Sequence, residues 1–212
     1  ISRKFDHCLS IHSSYGFTLL KNTHGCKHVL HKDLALLLST SGSTGSRKLV
    51  RQSYQNLKSN TESIVEYLEI GHKDRSITTL PMSYTYGLSI INSHMYAGAS
   101  MIFTNKTLVQ KEFWQQLKIH NATSFGGVPF TYEMLNRLIF FKMDLPSLKV
   151  MTQAGGRLTT ELQKKFALYA EETGKRFYVM YGQTEATARM SYLPFKKSLE
   201  KCGSIGVAIP NG

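Results

Sequence analysis

From Ile77 to Met180 the chain alternates short strand-like segments with longer helix-like ones, and this alternation constrains the fold more than any other feature. The predicted strands are Ile77–Leu80, Ser100–Phe103, Ala122–Phe125, Leu148–Met151 and Phe177–Met180. The predicted helices between them are Gly87–Tyr96, Lys111–Ile119, Phe130–Phe141 and Thr159–Glu172. Repeated βαβ units with right-handed crossovers predict an α/β fold with a doubly wound, mainly parallel sheet and flanking helices.

Two extended segments and one helix are predicted before this run. The apolar segment Leu34–Leu38 has the length of a buried strand, and Leu49–Arg51 continues an extended pattern. Ser53 is suited to cap a helix that ends at Gly71. One face of this helix consists of Leu57, Thr61, Ile64, Val65 and Leu68. That face is predicted to pack in the core and not to bind a cofactor.

The loop between the two extended segments is rich in glycine and hydroxyl side chains. It comprises Thr40, Ser41, Gly42, Ser43, Thr44, Gly45, Ser46, Arg47 and Lys48. Glycines let backbone amides turn towards one anion, hydroxyl groups add donors, and Lys48 adds a mobile positive charge. A Walker P-loop is excluded, because only two residues separate Gly42 from Gly45. We predict a phosphate-binding loop of another kind, with a flexible Gly/Ser linker as the alternative.

The amino-acid composition allows a substantial hydrophobic core but does not indicate one class of binding partner. The chain has 212 residues, of which 42% are apolar, and no apolar run reaches the roughly 20 residues of a membrane span. Without a signal-peptide pattern, cytoplasmic residence is expected, and the three separated cysteines favour reduced thiols. The net charge of +12 suits nucleic acid, anionic lipid or an anionic small substrate, but the basic residues are scattered, which favours a solvated surface.

Residues 1–32 are predicted to be a polar, histidine-rich lead segment that precedes a core domain over residues 33–212. The lead segment holds five of the eight histidines and shows no sustained strand or helix period. Four residues of metal-binding types lie close together there, namely His24, Cys26, His28 and His31. Their spacing fits no zinc pattern, so metal binding is not predicted.

Three of the predicted strands are followed by glycine-containing turns. These turns are Gly126–Pro129, Ala154–Arg157 and Tyr181–Glu185. Ligands of doubly wound sheets bind beyond the carboxyl ends of the strands, although tight βα turns explain single glycines equally well. Tyr181 is suited to stack on a base, Thr184 to donate to a phosphate and Glu185 to hold Mg²⁺; a surface carboxylate is the alternative for Glu185.

Six short motifs, which follow one another along the chain, resemble motifs of a known family. They are TSGSTGSRK, LPMSYTYGL, GGVP, AGGRL, YGQTE and GSIGVAIP, which together span residues 33–212. The chain resembles the AMP-forming adenylating family of acyl/aryl-CoA synthetases, luciferases and peptide-synthetase adenylation domains, in part of its larger N-terminal domain. The resemblance implies that ATP activates a small carboxylic acid as an acyl-adenylate with release of pyrophosphate. A thiol, of coenzyme A or of a carrier-protein phosphopantetheine, would then take the acyl group, with no nucleic-acid or membrane partner.

The resemblance also implies roles for individual residues. The catalytic residues would be Lys48, Thr184 and Glu185, with Glu185 as the Mg²⁺ ligand. The ATP-binding residues would be Thr40, Ser41, Gly42, Ser43, Thr44, Gly45, Lys48, Gly155, Gly156, Arg157, Tyr181, Gly182, Gln183 and Thr184. The acid pocket would contain Tyr84, Gly126, Gly127 and Ala154.

Departures from the family pattern narrow these expectations. Arg47-Lys48-Leu49 replaces the usual proline-lysine-glycine, and Tyr84 stands where many members have histidine. No aspartate lies in Ser83–Gly87 to hold an amino group, which favours an acyl or aryl acid over an α-amino acid. The chain starts at Ile1 and stops within a turn, before the family's ribose-binding aspartate and C-terminal lysine, so we expect a piece of a longer protein that is inactive alone. A non-catalytic ATP- or nucleic-acid-binding module is the alternative.

Overall fold

The computed structural model describes the backbone of residues 8–14, 17–22, 29–40 and 49–212, and the side chains of residues 29–40 and 49–212. The chain divides into two compact units, residues 1–32 and residues 33–212. None of the helices among the described residues combines the length and the hydropathy that crossing a bilayer requires.

The first unit contains a hairpin that the sequence did not predict. Strands β1 (Cys8–Ser14) and β2 (Phe17–Asn22) pair antiparallel, with Ser14 opposite Phe17. The register shifts between Ser10 and His12. Such an irregularity interrupts the two-residue alternation by which strands are detected, so the hairpin leaves no regular pattern in the sequence. Residues 41–48 of the proposed phosphate loop lie outside the described residues, and so do His24, Cys26 and His28.

The second unit begins with the two strands that flank the proposed phosphate loop. Strands β3 (Leu34–Ser39) and β4 (Leu49–Ser53) pair antiparallel, with Ser39 opposite Leu49. The two strands therefore lie where the sequence predicted them. Burial differs from the prediction, because Leu38 is buried while Leu37 is 44% exposed. The reason is that β3 belongs to a separate two-stranded sheet and not to the buried central one.

Helix α1 (Tyr54–Leu68) begins at the predicted cap. The Ser53 hydroxyl accepts a hydrogen bond from the Asn56 amide at 3.1 Å, and the Asn56 side chain accepts one from the Ser53 amide at 3.0 Å. The helix ends before the predicted Gly71, because Glu69 adopts a left-handed conformation with φ of 55°. The Ile70 amide then donates to the Val65 carbonyl at 3.0 Å, which satisfies an otherwise unpaired end of the helix.

Seven described strands form the central sheet in the order β11-β10-β9-β8-β7-β5-β6. They are β5 (Arg75–Ile77), β6 (Ser100–Ile102), β7 (Ser124–Gly127), β8 (Val150–Gln153), β9 (Arg176–Tyr181), β10 (Ser191–Leu193) and β11 (Val207–Ala208). The remaining helices are α2 (Thr85–Tyr96), α3 (Lys111–Ile119), α4 (Pro129–Arg137) and α5 (Thr160–Glu172). Strands β5 to β9 pair in parallel, while β10 and β11 add antiparallel at one edge. The mainly parallel α/β sheet is confirmed.

Helices cover both faces of this sheet. Along β9, Phe177 faces a core cluster that includes side chains of α3, α4 and α5, whereas Tyr178 faces a second cluster with side chains of α1 and α2. In β8, Met151 faces the first cluster and Val150 faces the second. This alternation is the two-residue period of a strand that is buried on both sides, and it confirms the doubly wound arrangement.

Several element boundaries differ from those predicted. Helix α4 stops at Arg137 and not at Phe141, because Ile139 takes a left-handed φ of 57° before a short 3-10 turn at Phe140–Lys142. Strands β7 and β8 each begin and end two residues later than predicted, so that Gly126 and Gly127 lie within β7. Strands β10 and β11 were not predicted, because segments of three and two residues are too short to show a period.

The core on the α3–α5 side is built around aromatic rings. The Phe166 ring is fully buried, and its centroid lies 4.8 Å from that of Tyr132 and 4.9 Å from that of Phe141. The rings of Phe140 and Phe177 lie 5.8 Å away. Helices α4 and α5 and strand β9 therefore meet at this one side chain.

We expect Phe166→Ala to lower the free energy of unfolding by about 3–5 kcal/mol, because it leaves a cavity among rings that cannot close around it. Chemical denaturation of the chain would measure this loss. The matched control is Leu168→Ala on the same helix, where the side chain is 47% exposed, and a change within about 0.5 kcal/mol is expected. Equal losses in the two variants would contradict this account of the core.

Candidate functional site

The carboxyl ends of the parallel strands lie at one edge of the sheet. The chain passes from β5 to β6 on one side and then returns to β7 on the other, so the order of strands reverses between β5 and β7. Doubly wound sheets bind ligands in the crevice beside such a reversal. The side chain of Thr79, just after β5, donates to the carbonyl of Gly126 in β7 across this point.

A cavity of about 60 Å³ opens beyond the ends of β8 and β9. Seven of the predicted site residues line it, namely Tyr84, Ala154, Gly155, Tyr181, Gly182, Gln183 and Thr184. Residues predicted for the acid and for ATP thus lie around one cavity. Four further lining residues were not predicted, namely Thr85, Tyr86, Ala188 and Arg189. Thr85 and Tyr86 lie within the LPMSYTYGL motif, which gave a signal for them, whereas Arg189 follows the last motif residue by four positions.

Other predicted site residues lie elsewhere. Gly126 and Gly127 are buried at the end of β7 and do not line this cavity. Gly156 and Arg157 are exposed on the turn after β8, and Thr40 is half-buried at the end of β3. The predicted residues Ser41, Gly42, Ser43, Thr44, Gly45 and Lys48 lie outside the described part of the chain.

A larger groove of about 580 Å³ lies beside the ends of β5 and β6. It is lined by Thr78–Pro81, Thr104–Val109, Phe113, Phe130, Thr131 and Met134. None of the predicted site residues lines this groove, and its exposed Phe130 gives it an apolar wall. The predicted site therefore corresponds to the smaller and more polar of the two spaces.

Gly155 is required at the turn after β8 for two reasons. Its φ is +81°, in the left-handed region that favours glycine. A Cβ atom there would also clash with the hydroxyl of Tyr84. Tyr84 is half-buried, and burial raises the pKa of its hydroxyl, so the side chain remains neutral at physiological pH.

The turn that carries Thr184 is held by hydrogen bonds from three other elements. The hydroxyl oxygens of Thr184 and Thr85 lie 3.0 Å apart, and Gln52 of β4 donates to the Thr184 carbonyl at 2.8 Å. Asn60 of α1 donates to the Arg189 carbonyl at 2.8 Å. No local sequence pattern indicates that Gln52 or Asn60 belongs to the site, because each contact joins residues more than a hundred positions apart.

These hydrogen bonds stabilise a segment whose backbone conformation is unfavourable by itself. Thr187 and Ala188 have φ of 65° and 107°, which non-glycine residues rarely adopt. The segment also folds back so tightly that a Cβ atom on Gly182 would clash with the Ala188 carbonyl. Since Gln52 lies on the strand that follows the proposed phosphate loop, it couples that strand directly to Thr184.

Glu185 lies exposed in the short 3-10 turn Thr184–Ala186. The described residues contain no group of three or more histidine, cysteine or acidic side chains that could hold a metal ion. A single accessible carboxylate suits Mg²⁺ that completes its shell with phosphate oxygens and water. The residues present therefore fit a metal that is bound together with a nucleotide, and not one bound by the protein alone.

A second cavity, of about 20 Å³, lies beneath α2, and Arg189 lines both cavities. His94 of α2 lines it and is 5% exposed. Its Nδ1 lies 2.8 Å from the Ile90 carbonyl, and its Nε2 lies 3.3 Å from the Ser124 hydroxyl. Burial lowers the pKa of His94 and is the largest effect; the Ile90 carbonyl and Asp74 raise the pKa in part, and the charge of Arg189 has the smallest effect and lowers it.

The family model described as "AMP-binding enzyme" matches residues 10–212. The chain therefore belongs to the AMP-binding enzyme family, and the resemblance inferred from the six motifs is confirmed.

Relatives and solved structures agree with this assignment. The long-chain-fatty-acid–CoA ligase of Bacillus subtilis is 29% identical over 186 residues, which are 84% of this chain and 32% of the ligase. The o-succinylbenzoate CoA synthetase of Bacillus subtilis, solved with its acyl-adenylate intermediate, has a TM-score of 0.72 at 25% identity over 82% of this chain and 34% of that one. The same synthetase with ATP and a magnesium ion has a TM-score of 0.71 at 25% identity, with 82% and 35% covered. This chain spans about a third of the length of the curated relatives it matches.

The burial of His94 predicts a pH-dependent stability. The unfolded chain binds its proton near pH 6.5, whereas the folded chain binds it only at lower pH. Folding stability from this residue is therefore complete above about pH 6.5 and is lost as the pH falls towards the folded pKa, by about 1.4 kcal/mol for each unit of lowering. Denaturation of wild type and His94→Gln from about pH 7.5 to about pH 5 would measure it. A smaller slope in His94→Gln is expected, with the exposed His72→Gln as the control; equal slopes in His94→Gln and wild type would contradict it.

Proposed function

We propose that this chain forms part of an enzyme that activates a carboxylic acid with ATP, releases pyrophosphate and then transfers the acyl group to a thiol. The observation that carries this proposal is the cavity at the ends of β8 and β9, which Tyr84, Ala154, Tyr181 and Thr184 line together. Residues predicted for an acid and residues predicted for a nucleotide thus line one space, in a chain of the AMP-binding enzyme family.

This reaction requires mainly that the acid and ATP are held in position and that the negative charge of the phosphates is neutralised. The acid carboxylate attacks the α-phosphorus of ATP, the bond to the β-phosphate oxygen breaks, and pyrophosphate leaves with that electron pair. Thr184 would donate its hydroxyl hydrogen to the α-phosphate, from a position that Thr85 and Gln52 fix in advance. Tyr181, which is 42% exposed, offers its ring to the adenine beside the Gly155 turn.

Two charged residues would stabilise the departing phosphates. Glu185 would hold Mg²⁺, which supplies positive charge to the phosphate oxygens when it is bound. Lys48 would add a second positive charge from the phosphate loop. ATP and Mg²⁺ are supported as partners by the solved complex of the related synthetase with these two ligands.

The acceptor would be the thiol of coenzyme A, as the names of the related CoA ligases and synthetases suggest, with carrier-protein phosphopantetheine as the second option. The names of the relatives do not select one acid substrate, because they include both a long-chain fatty acid and o-succinylbenzoate.

Glu185→Gln and Lys48→Met in the full-length protein should each lower acid-dependent pyrophosphate release by about 100-fold or more, because the first weakens binding of Mg²⁺ and the second removes a positive charge, and both cations would stabilise the departing phosphates. A coupled pyrophosphate assay would measure this loss. Glu172→Gln, at the exposed end of α5, makes the same chemical change away from the site and should leave the rate unchanged. Undiminished release by Glu185→Gln and Lys48→Met would count against the proposal, and steep salt-dependent binding of DNA or RNA without acid activation would favour a nucleic-acid-binding module instead.

The 212 residues alone should bind ATP weakly at best and should not sustain exchange of pyrophosphate into ATP. They contain no counterpart of the ribose-binding aspartate or of the C-terminal lysine that the family resemblance implies. Side-by-side exchange assays of these residues and of the full-length protein would test this, and robust exchange by the 212 residues would overturn it.

A further inference from the structure

Two buried amide side chains hold the two ends of the turn that begins at Thr184. Gln52 of β4 is 2% exposed and donates to the Thr184 carbonyl at 2.8 Å. Asn60 of α1 is 8% exposed and donates to the Arg189 carbonyl at 2.8 Å. The two non-glycine residues with left-handed φ in this turn lie between these carbonyls. The amides therefore bracket the part of the backbone that is least favourable by itself.

Both amides belong to one continuous stretch of secondary structure. Strand β4 ends at Ser53, which is also the cap of α1, so no loop separates the strand from the helix. The helix is anchored in the core by the buried side chains of Ile64 and Leu68. The strand begins at Leu49, directly after Lys48 in the sequence. A displacement at the start of β4 would therefore be transmitted through packed secondary structure to both amides and to the turn.

Stability alone does not account for the amide of Gln52. Its Oε1 atom is buried, and none of the described residues donates a hydrogen bond to it. An unpaired buried acceptor costs at least as much free energy as one neutral hydrogen bond contributes. The Thr184 carbonyl also accepts a hydrogen bond from the Thr187 amide at 3.2 Å, so it has a partner besides Gln52. The position that Gln52 imposes on the turn explains this polar side chain better than a gain in stability does.

We propose that Gln52 and Asn60 are positioning residues, which fix Thr184 relative to the strand that follows the phosphate loop. This inference rests on the proposed function of the same site. The α-phosphate that Thr184 would meet and the departing phosphates that Lys48 would meet belong to one ATP molecule. Attack on the α-phosphorus in line with the departing group requires that these two protein groups keep a fixed separation, and β4 with α1 supplies the connection. Neither amide lines the cavity at the ends of β8 and β9, so each acts through the turn.

The first test removes the Gln52 donor in the full-length protein. Gln52→Met keeps the length of the side chain and should lower kcat for acid-dependent pyrophosphate release about 10-fold or more, because a small misplacement of a group at the reacting centre is costly. The KM for ATP should change much less, and the thermal midpoint should move by less than about 4 °C. Acetate, octanoate and benzoate serve as acid probes. Gln55→Met, at an exposed position of α1, is the matched control and should keep the wild-type rate. An unchanged kcat in Gln52→Met would overturn the inference.

The second test asks whether Gln52 acts through the Thr184 hydroxyl. Thr184→Val removes this hydroxyl but keeps the carbonyl that Gln52 holds. In the Thr184→Val background, Gln52→Met should lower the remaining rate by less than about 2-fold, because the group that it positions is gone. Asn60→Leu should follow the same pattern. Equal losses from Gln52→Met in the wild-type and Thr184→Val backgrounds would show a general structural role and would overturn the inference.

A measurement without catalysis separates this inference from the proposed function. The amides of residues 186–188 are hydrogen-bonded within the turn. Their hydrogen exchange in full-length protein without ATP should be about 5-fold faster in Gln52→Met, the effect of one lost hydrogen bond. Exchange in α5 should not change, and Gln55→Met should match wild type. If Gln52→Met does not fold, Gln52→Asn, whose amide is one methylene too short for the bond, carries all three tests. Equal exchange in Gln52→Met and wild type would overturn the inference, whereas absence of pyrophosphate release by wild type with every acid would overturn the proposed function instead.

Discussion

The candidate site depends on a backbone segment that other elements must hold in place. Between Gly182 and Arg189 the chain turns back on itself and passes through two left-handed non-glycine residues. Such conformations cost of order 1–3 kcal/mol each and persist only where the surroundings fix them. The fixing bonds come from β4, α1 and α2, through Gln52, Asn60 and Thr85. Thr184 is therefore positioned by residues distant in sequence, which is how a site gains precision before its ligand arrives.

The central sheet explains why these elements can meet. Strand β9 is buried on both faces, and α1 and α2 pack on the face opposite to α3, α4 and α5. The aromatic core around Phe166 holds one face, while Tyr67, Tyr86 and Tyr178 form much of the other. The polar site thus lies on tightly packed apolar layers.

Local and periodic features were predicted from the sequence, and long-range ones were not. The alternation of strands and helices, the Ser53 cap and the glycine turns all produce patterns among neighbouring residues. The doubly wound sheet could therefore be inferred. Helix ends at Glu69 and Ile139 were missed because left-handed conformations of ordinary residues have no strong sequence signal. Gln52, Asn60 and Arg189 were missed for a different reason. Their roles come from contacts that only the assembled sheet creates.

The role of charged residues was also predicted only in part from the sequence. The net charge of +12 suggested several anionic partners without choosing among them, because exposed and scattered charges are screened by water and salt. A buried charge acts differently, since the surrounding medium weakens its field much less. Arg189 is held among neutral partners, namely the hydroxyls of Tyr67 and Ser89 and the ring of Tyr86. A single buried guanidinium therefore contributes more to the order of its surroundings than the many cations on the surface, because its hydrogen bonds form where water does not compete for them.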